Sequence, residues 1–269
     1  MSYTVNCSIL LTGLPLLERP AAARAAGFEA VEFWWPFDSS TPDADEISAF
    51  GDAITNAGVQ LSGLNFNAGD MPAGDRGLVS WPARSTDFRA NLDVVTAIGE
   101  RLGCSAFNAL YGNRVPESTP AEQDALGAEN LALAAAAVAR IGGTVLLEPV
   151  SGAPAYPLLT AADAFSVIHR VRSESGHENI KLLADFYHLA VNGDDVAAVI
   201  AKHAGAFGHI QIADAPGRGA PGEGELPLLE WLEASMAHGY SGLVGLEYKS
   251  SVDEPFAWLA PANRASAVA

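Results

Sequence analysis

Short runs of mostly apolar residues recur along the whole chain, and each is bounded by glycine, proline or polar residues. Runs of this length, rich in valine, isoleucine, leucine and phenylalanine, are typical of buried β-strands. Eight such strands are predicted, at residues 4–10, 30–35, 60–66, 106–111, 144–150, 180–186, 208–214 and 242–248.

Longer segments with the periodicity of amphipathic helices separate these runs. Ser85 and Thr160 are predicted to be the N-caps of the helices that follow them. Gly205 is one of the glycines predicted to end a helix in the left-handed conformation. The predicted helices cover residues 15–27, 43–58, 85–103, 119–141, 161–175, 195–205 and 226–239.

Strands that alternate with helices, each strand mostly apolar, indicate a parallel sheet covered by helices. Eight βα units in 269 residues predict an α/β chain folded as a single (β/α)8 TIM barrel, one domain over residues 1–269. A doubly wound sheet is the alternative. No predicted strand is followed by a GxGxxG turn, so the barrel is favoured.

The charge of the chain restricts its partners. A net charge of -17 and the lack of a cluster of lysines and arginines argue against nucleic acid and an anionic membrane surface, and favour metal ions and small molecules. Cys7 and Cys104 form no disulfide framework or CxxC motif. With no signal peptide and no long apolar segment, a soluble cytoplasmic protein is predicted, and a homo-oligomer is left open.

Four predicted strands in succession carry a polar side chain at or near the carboxyl end, where TIM barrels place their chemistry: Glu148, Asp185, Gln211 and Glu247. Each one alone is better explained as a helix cap or an ion-pair partner. Three carboxylates buried together without a cation would cost several kcal/mol per charge, so the group indicates a metal site. Oxygen ligands of this kind suit Mg²⁺ or Mn²⁺.

Two further residues extend this candidate site. Arg218 lies in a glycine- and proline-rich loop after Gln211, where a guanidinium can hold a substrate oxygen or carboxylate. His188 follows Asp185 by three residues and can bond substrate oxygens, although a packing role in the loop fits its spacing equally well. Gln211 is expected to point into the barrel as a neutral ligand.

Several stretches resemble the hydroxypyruvate isomerase family of the xylose-isomerase-like barrel superfamily. They are LNFNAGDMPAGDRGL, LLADFYH, GHIQIADAPGRGAPGEGEL and GLEYK. The resemblance implies a TIM barrel with four metal ligands, Glu148, Asp185, Gln211 and Glu247. It also implies that Glu148 and Glu247 form an acid/base pair. The substrate-binding residues would be His188, Arg218 and Lys249, with Arg218 and Lys249 at the substrate carboxylate.

This resemblance implies a metal-dependent isomerase that interconverts hydroxypyruvate and tartronate semialdehyde through an enediolate. The alternatives are a 2-oxo-tetronate isomerase or a ketose 3-epimerase on the same scaffold, and a non-catalytic barrel that binds sugar acids. An apurinic-site endonuclease would need several histidine ligands and a basic face, which the sequence lacks. Pro154 stands where the family often has an acidic residue, which leaves the exact substrate open.

Overall fold

The predicted strands close into one parallel barrel in the computed structural model, which describes residues 1–250 and 254–265. Each strand pairs with its neighbours in chain order, and β1 also pairs with β8, so the prediction of a (β/α)8 barrel is confirmed. The single domain over residues 1–269 stays a prediction, since it includes 251–253 and 266–269. The strands are β1 (Tyr3–Asn6), β2 (Ala30–Phe33), β3 (Gln60–Asn65), β4 (Ala106–Asn108), β5 (Thr144–Leu147), β6 (Ile180–Asp185), β7 (Phe207–Ile212) and β8 (Val244–Leu246).

The helices surround the barrel and bury an apolar face against it, as the amphipathic patterns predict. Thr160 caps its helix as predicted, accepting a hydrogen bond from the Asp163 amide. The α-helices are α1 (Arg19–Ala25), α2 (Ala44–Ala57), α3 (Ser85–Leu102), α4 (Pro120–Ala139), α5 (Ala161–Ser175), α6 (Phe186–Val191), α7 (Val196–His203) and α8 (Leu228–Ala237).

Two of the predicted helix ends are wrong. Ser85 is the first residue of α3 rather than its N-cap, because a 3-10 turn over Pro82–Arg84 runs directly into the helix. Gly205 does not end a helix in the left-handed conformation. It lies within a second 3-10 turn, Ala204–Ala206, that links α7 to β7.

The predicted strands extend too far at their carboxyl ends, since apolar residues there continue to pack after the last pairing with a neighbouring strand. The largest difference is at β1, which ends at Asn6 rather than at residue 10, whereas after β6 the helix α6 begins at once and takes in Phe186. The Asp185 carboxylate caps this short helix by accepting a hydrogen bond from the His188 amide at 3.1 Å. The strand end and the first turn of α6 therefore hold Asp185 and His188 side by side.

The apolar core lies between the strands and the helices, whereas the inside of the barrel carries a polar layer. The buried polar residues on the strands are mostly amides, acids and one histidine, among them Asn6, Glu32, Asn108, His209 and Gln211. In the described residues, the helices are too short or too polar to cross a membrane.

Candidate active site

Adjacent strands bring Glu148, Asp185, Gln211 and Glu247 together at the carboxyl end of the barrel. Glu148 and Glu247 directly follow β5 and β8, Asp185 ends β6, and Gln211 lies in β7 beside Asp185. All four are almost entirely buried, with at most 5% of any of them exposed. The two glutamates line a cavity of about 430 Å³ that opens above the strand ends.

Glu148 is held by a neighbour on β4. Its Oε2 accepts a hydrogen bond of 2.6 Å from Asn108 Nδ2, which leaves Oε1 on the side of His188, 3.9 Å from that residue's Nε2. Burial, together with the negative charges of Glu247 and Asp185, raises the pKa of Glu148 well above its usual range. This shift favours the protonated form of Glu148.

Glu247 has a different set of donors. Its Oε1 accepts a hydrogen bond from Trp34 Nε1 at 2.8 Å and lies 3.0 Å from Arg218 Nη2. Burial raises the pKa of Glu247 to about 8, although the charge of Arg218 opposes this. The two glutamates are thus buried acids, each oriented by its own partners, at the same cavity.

Gln211 points into the barrel, as expected, and Glu32 sets the orientation of its amide. Gln211 Nε2 donates to Glu32 Oε1 at 2.7 Å, and an ionised carboxylate can only accept, so Gln211 Oε1 points away from Glu32 and is buried without a hydrogen-bond partner. Glu32 also accepts from Asn6 Nδ2 at 3.2 Å and lies 2.7 Å from His209 Nε2. Gly245 on β8 makes room for this arrangement, since a Cβ there would lie 2.7 Å from Glu32 Oε1.

His188 faces the carboxylates of Asp185 and Glu148 through its Nε2. Its Nδ1 accepts a hydrogen bond from the Ser151 amide at 3.0 Å, so the proton of the neutral ring lies on Nε2. Nε2 is 3.6 Å from Asp185 Oδ2. Burial lowers the pKa of His188 to about 4, against the effect of Asp185, and the charges of Arg218 and Arg76 lower it further. The ring is therefore a neutral donor at pH 7.

Whether a cation would fit among these side chains can be judged from their buried oxygens. Asp185 Oδ2, Gln211 Oε1 and Glu247 Oε2 are buried and accept no hydrogen bond from the described residues. Unsatisfied buried oxygens of three different side chains at one place are what a hard divalent cation would satisfy. Ligand atoms of Glu148 and Asp185 also lie within 4.8 Å of each other and of a His188 ring nitrogen, so the two carboxylates are close enough to share one ion.

Asp214 organises the loop that carries Arg218. Its carboxylate accepts hydrogen bonds from the backbone amides of Ala215, Gly222 and Leu226 at 2.8–3.0 Å. Arg218 has a left-handed φ of 60°, and its carbonyl accepts from the Lys249 amide at 2.7 Å. This loop therefore holds the guanidinium over Asp185 and Glu247 rather than free in the cavity.

The structure places the remaining predicted residues less centrally. Lys249 lines the cavity, but its side chain is exposed. Pro154 is exposed and does not line the cavity, where the same loop instead contributes Ser151. The sequence-based interpretation assigned no role in the site to Asn108, Ser151 or Trp34. Asn108 could have been found, because it is a polar residue at a strand end like the others.

Comparisons with known proteins agree with the barrel fold. The xylose isomerase-like TIM barrel family matches residues 20–266. A Streptomyces coelicolor protein named "Putative hydroxypyruvate isomerase" is 53% identical over 98% of this chain and 97% of its own. A 2-oxo-tetronate isomerase of Cupriavidus necator is 34% identical, over 96% of this chain and 97% of its own. The crystal structure of a family 2 AP endonuclease from Brucella melitensis superposes with a TM-score of 0.87 at 30% identity, over 98% of this chain and 100% of that one.

Proposed function

The chain belongs to the xylose isomerase-like TIM barrel family and is an isomerase, and we propose that it interconverts hydroxypyruvate and tartronate semialdehyde with the help of a divalent metal ion. The relatives named above support the reaction class. The observation that carries the proposal is the pair of buried acids, Glu148 and Glu247, that face one cavity from β5 and β8.

The reaction moves a carbonyl between adjacent carbons. A proton leaves C3 of hydroxypyruvate and a proton is added to C2, while the hydroxyl proton passes from the oxygen on C3 to the oxygen on C2. A carboxyl group placed beside the reacting carbons can take up and return a proton in both steps. Glu148 and Glu247 are carboxyl groups of this kind, and they reach the cavity from different strands.

The other residues around the cavity orient the pair and the substrate. Asn108 donates to one oxygen of Glu148, and Trp34 donates to one oxygen of Glu247. The second oxygen of each glutamate accepts no hydrogen bond from the described residues and is available for the reaction. The Nε2 proton of His188 is available to a substrate oxygen that becomes negative during the reaction. Arg218 keeps Glu247 and Asp185 in place and adds a positive charge beside the same oxygens.

The metal is proposed to be Mg²⁺ or Mn²⁺, held by Glu148, Asp185, Gln211 and Glu247. The oxygens left without hydrogen-bond partners belong to three of these residues and support this set. His188 does not join it, because its Nε2 carries the proton. A divalent cation held by these residues would supply positive charge that stabilises negative charge on the substrate oxygens.

Proton NMR in D₂O tests the proposal. Protein with Mg²⁺ or Mn²⁺ and hydroxypyruvate should form tartronate semialdehyde that carries deuterium on C2. Glu148→Gln and Glu247→Gln should each abolish turnover and leave the fold intact, whereas Glu100→Gln, on the exposed side of α3, should leave the rate unchanged. A fully active Glu247→Gln protein would remove that residue from the mechanism.

A four-carbon oxo acid is the second candidate substrate, because a second cavity beside the first gives a longer chain room. A neighbouring cavity of about 570 Å³ shares four lining residues with the first: Ser8, Trp34, Met71 and Pro72. A chain longer by one carbon could extend between these residues, and the relative from Cupriavidus necator is a 2-oxo-tetronate isomerase. Comparing kcat/KM for 2-oxo-tetronate and hydroxypyruvate decides between the two substrates.

DNA is not proposed as a substrate, although the similar protein from Brucella melitensis is named an AP endonuclease. Proteins that bind phosphate backbones do so with clustered lysines and arginines. This chain has a net charge of -17, and two buried carboxylates, Glu148 and Glu247, line its cavity.

A further inference from the structure

Arg76 lines the same cavity as the two catalytic glutamates, from the loop that follows β3. Its side chain is half-buried, and its charge is close enough to lower the pKa of His188. Among the ion pairs formed by residues 1–250 and 254–265, none includes Arg76. In so acidic a chain, an arginine at the active-site cavity without a carboxylate partner indicates a ligand that carries one.

The position of Arg76 is set without a ligand. Its Nη1 donates to the carbonyls of Met71 and Asp75 at 3.0 and 2.6 Å, and its own carbonyl accepts from the Gly112 amide at 3.0 Å. The next residue, Gly77, has a φ of 110° and packs so closely on Leu110 that a Cβ would overlap the backbone there.

This anchoring uses only one nitrogen of the guanidinium. No described residue accepts a hydrogen bond from Nε or Nη2 of Arg76, and together these two nitrogens form a fork that matches a carboxylate. The donor is therefore prepared before a substrate arrives, and little freedom is lost when it binds.

Charge balance shows why such a donor is needed. Glu148, Asp185 and Glu247 together carry three negative charges when ionised, and a divalent cation with Arg218 compensates them. The carboxylate of an oxo acid would then add a negative charge that nothing in the acidic group balances. Arg218 cannot serve twice, because its guanidinium already lies 3.0 Å from Glu247 and 3.7 Å from Asp185.

We propose that Arg76 binds the carboxylate of the substrate and so makes the site specific for oxo acids over uncharged ketoses. This inference rests on the proposed function. The sequence-based prediction gave this task to Arg218 and Lys249. Lys249 is exposed and offers a single flexible ammonium, whereas Arg76 is half-buried and offers a fixed fork.

Steady-state kinetics of Arg76→Gln with hydroxypyruvate is the first test. KM should rise about 10- to 100-fold with kcat changed less than about threefold, since a contact present in both the ground state and the transition state is removed. Arg76→Lys should recover part of the loss. Lys249→Gln should raise KM far less, and Arg140→Gln, a surface residue paired with Asp93, should change nothing. An unchanged KM in Arg76→Gln overturns the proposal.

Calorimetric titration separates carboxylate binding from a structural effect and from the proposed function. Mn²⁺-loaded wild-type protein should bind glycerate more tightly than dihydroxyacetone, and Arg76→Gln should lose this preference while its Mn²⁺ affinity and melting temperature stay unchanged. Equal loss for both ligands, or no glycerate binding by the wild type, overturns the role of Arg76. If glycerate binds through Arg76 but hydroxypyruvate is not isomerised, the proposed reaction fails and the carboxylate site stands.

Discussion

The backbone amide of Ser151 donates to Nδ1 of His188 at 3.0 Å, and this contact decides what the imidazole can do at the other nitrogen. A backbone N–H is only a donor, so Nδ1 must be an acceptor and the single proton of the neutral ring lies on Nε2. The group that faces Asp185 and Glu148 is therefore a hydrogen-bond donor and not a lone pair.

Replacing His188 by Leu should lower kcat by about 100-fold, because a donor to the reacting oxygens is lost. The affinity for Mn²⁺ should change less than about threefold, because Nε2 does not offer a lone pair to the ion. Isothermal titration with Mn²⁺ and initial rates with hydroxypyruvate measure the two effects. A loss of Mn²⁺ affinity as large as that caused by Asp185→Asn would instead make His188 a metal ligand.

Replacing Glu32 by Gln should weaken Mn²⁺ binding by about 10- to 100-fold, the usual effect of removing a residue that orients a metal ligand. With Gln at position 32, the Gln211 oxygen is no longer forced to point away from residue 32, because an amide can donate as well as accept. Glu29→Gln is the matched control, since Glu29 lies near the same strand but pairs with Arg24 at the surface. Equal affinities for both variants would show that Glu32 does not position Gln211.

Metal binding should become stronger as the pH rises from 6 to 8. Burial raises the pKa of Glu247 from 4.5 to about 8, and it also raises the pKa of Glu148. A cation that binds to these carboxylates must therefore displace protons from them. Between pH 4.5 and about pH 8, Glu247 binds more protons in the folded protein than in the unfolded chain. The contribution of Glu247 to the free energy of unfolding therefore falls as the pH rises through this range.

The difference in melting temperature between metal-loaded and metal-free protein measures this effect. We expect this difference to be larger at pH 8 than at pH 6. Metal binding at pH 7 should also release protons, which calorimetric titrations in buffers of different ionisation enthalpy would detect. In Glu247→Gln the pH dependence should be smaller, because one of the titrating acids is gone. A difference that stays constant from pH 6 to 8 would contradict the prediction.

Gly245→Ala should lower the free energy of unfolding by about 1–3 kcal/mol, the usual cost of overpacking a filled interior. The added Cβ would lie 2.7 Å from Glu32 Oε1 and 2.8 Å from Gln211 Cγ, so both side chains would have to move. Urea unfolding measures the change, and Mn²⁺ affinity should fall with it. Gly13→Ala is the control, because no atom lies within 4 Å of a Cβ there.

The sequence was sufficient to predict the architecture because each strand and helix carries its own pattern. The eight βα units, and the convergence of Glu148, Asp185, Gln211 and Glu247 at one end, follow from periodicity and from the order of the strands. The boundaries were less predictable. In LLADFYHLAV the apolar run continues from β6 into α6, and only the capping of the helix by Asp185 separates them.

The partners of the site residues could not be predicted in the same way. Trp34 meets Glu247 although 213 positions separate them, and Glu32 meets Gln211 across 179. Such contacts depend on the tilt and closure of the barrel, which no local pattern records. Arg218 shows the same limit, because its loop position was expected but its pairing with Glu247 depends on how Asp214 folds the loop.

Because β1 pairs with β8, the barrel can close only after the last strand has been synthesised. Glu247 follows the last strand, and Trp34, which orients it, follows the second. During synthesis, the chain from Met1 to the end of β7 contains three of the proposed ligands but lacks the fourth and the strand that closes the barrel. The complete site therefore arises only when the final strand is inserted, so an ion bound by all four residues would mark a finished molecule and not a nascent one.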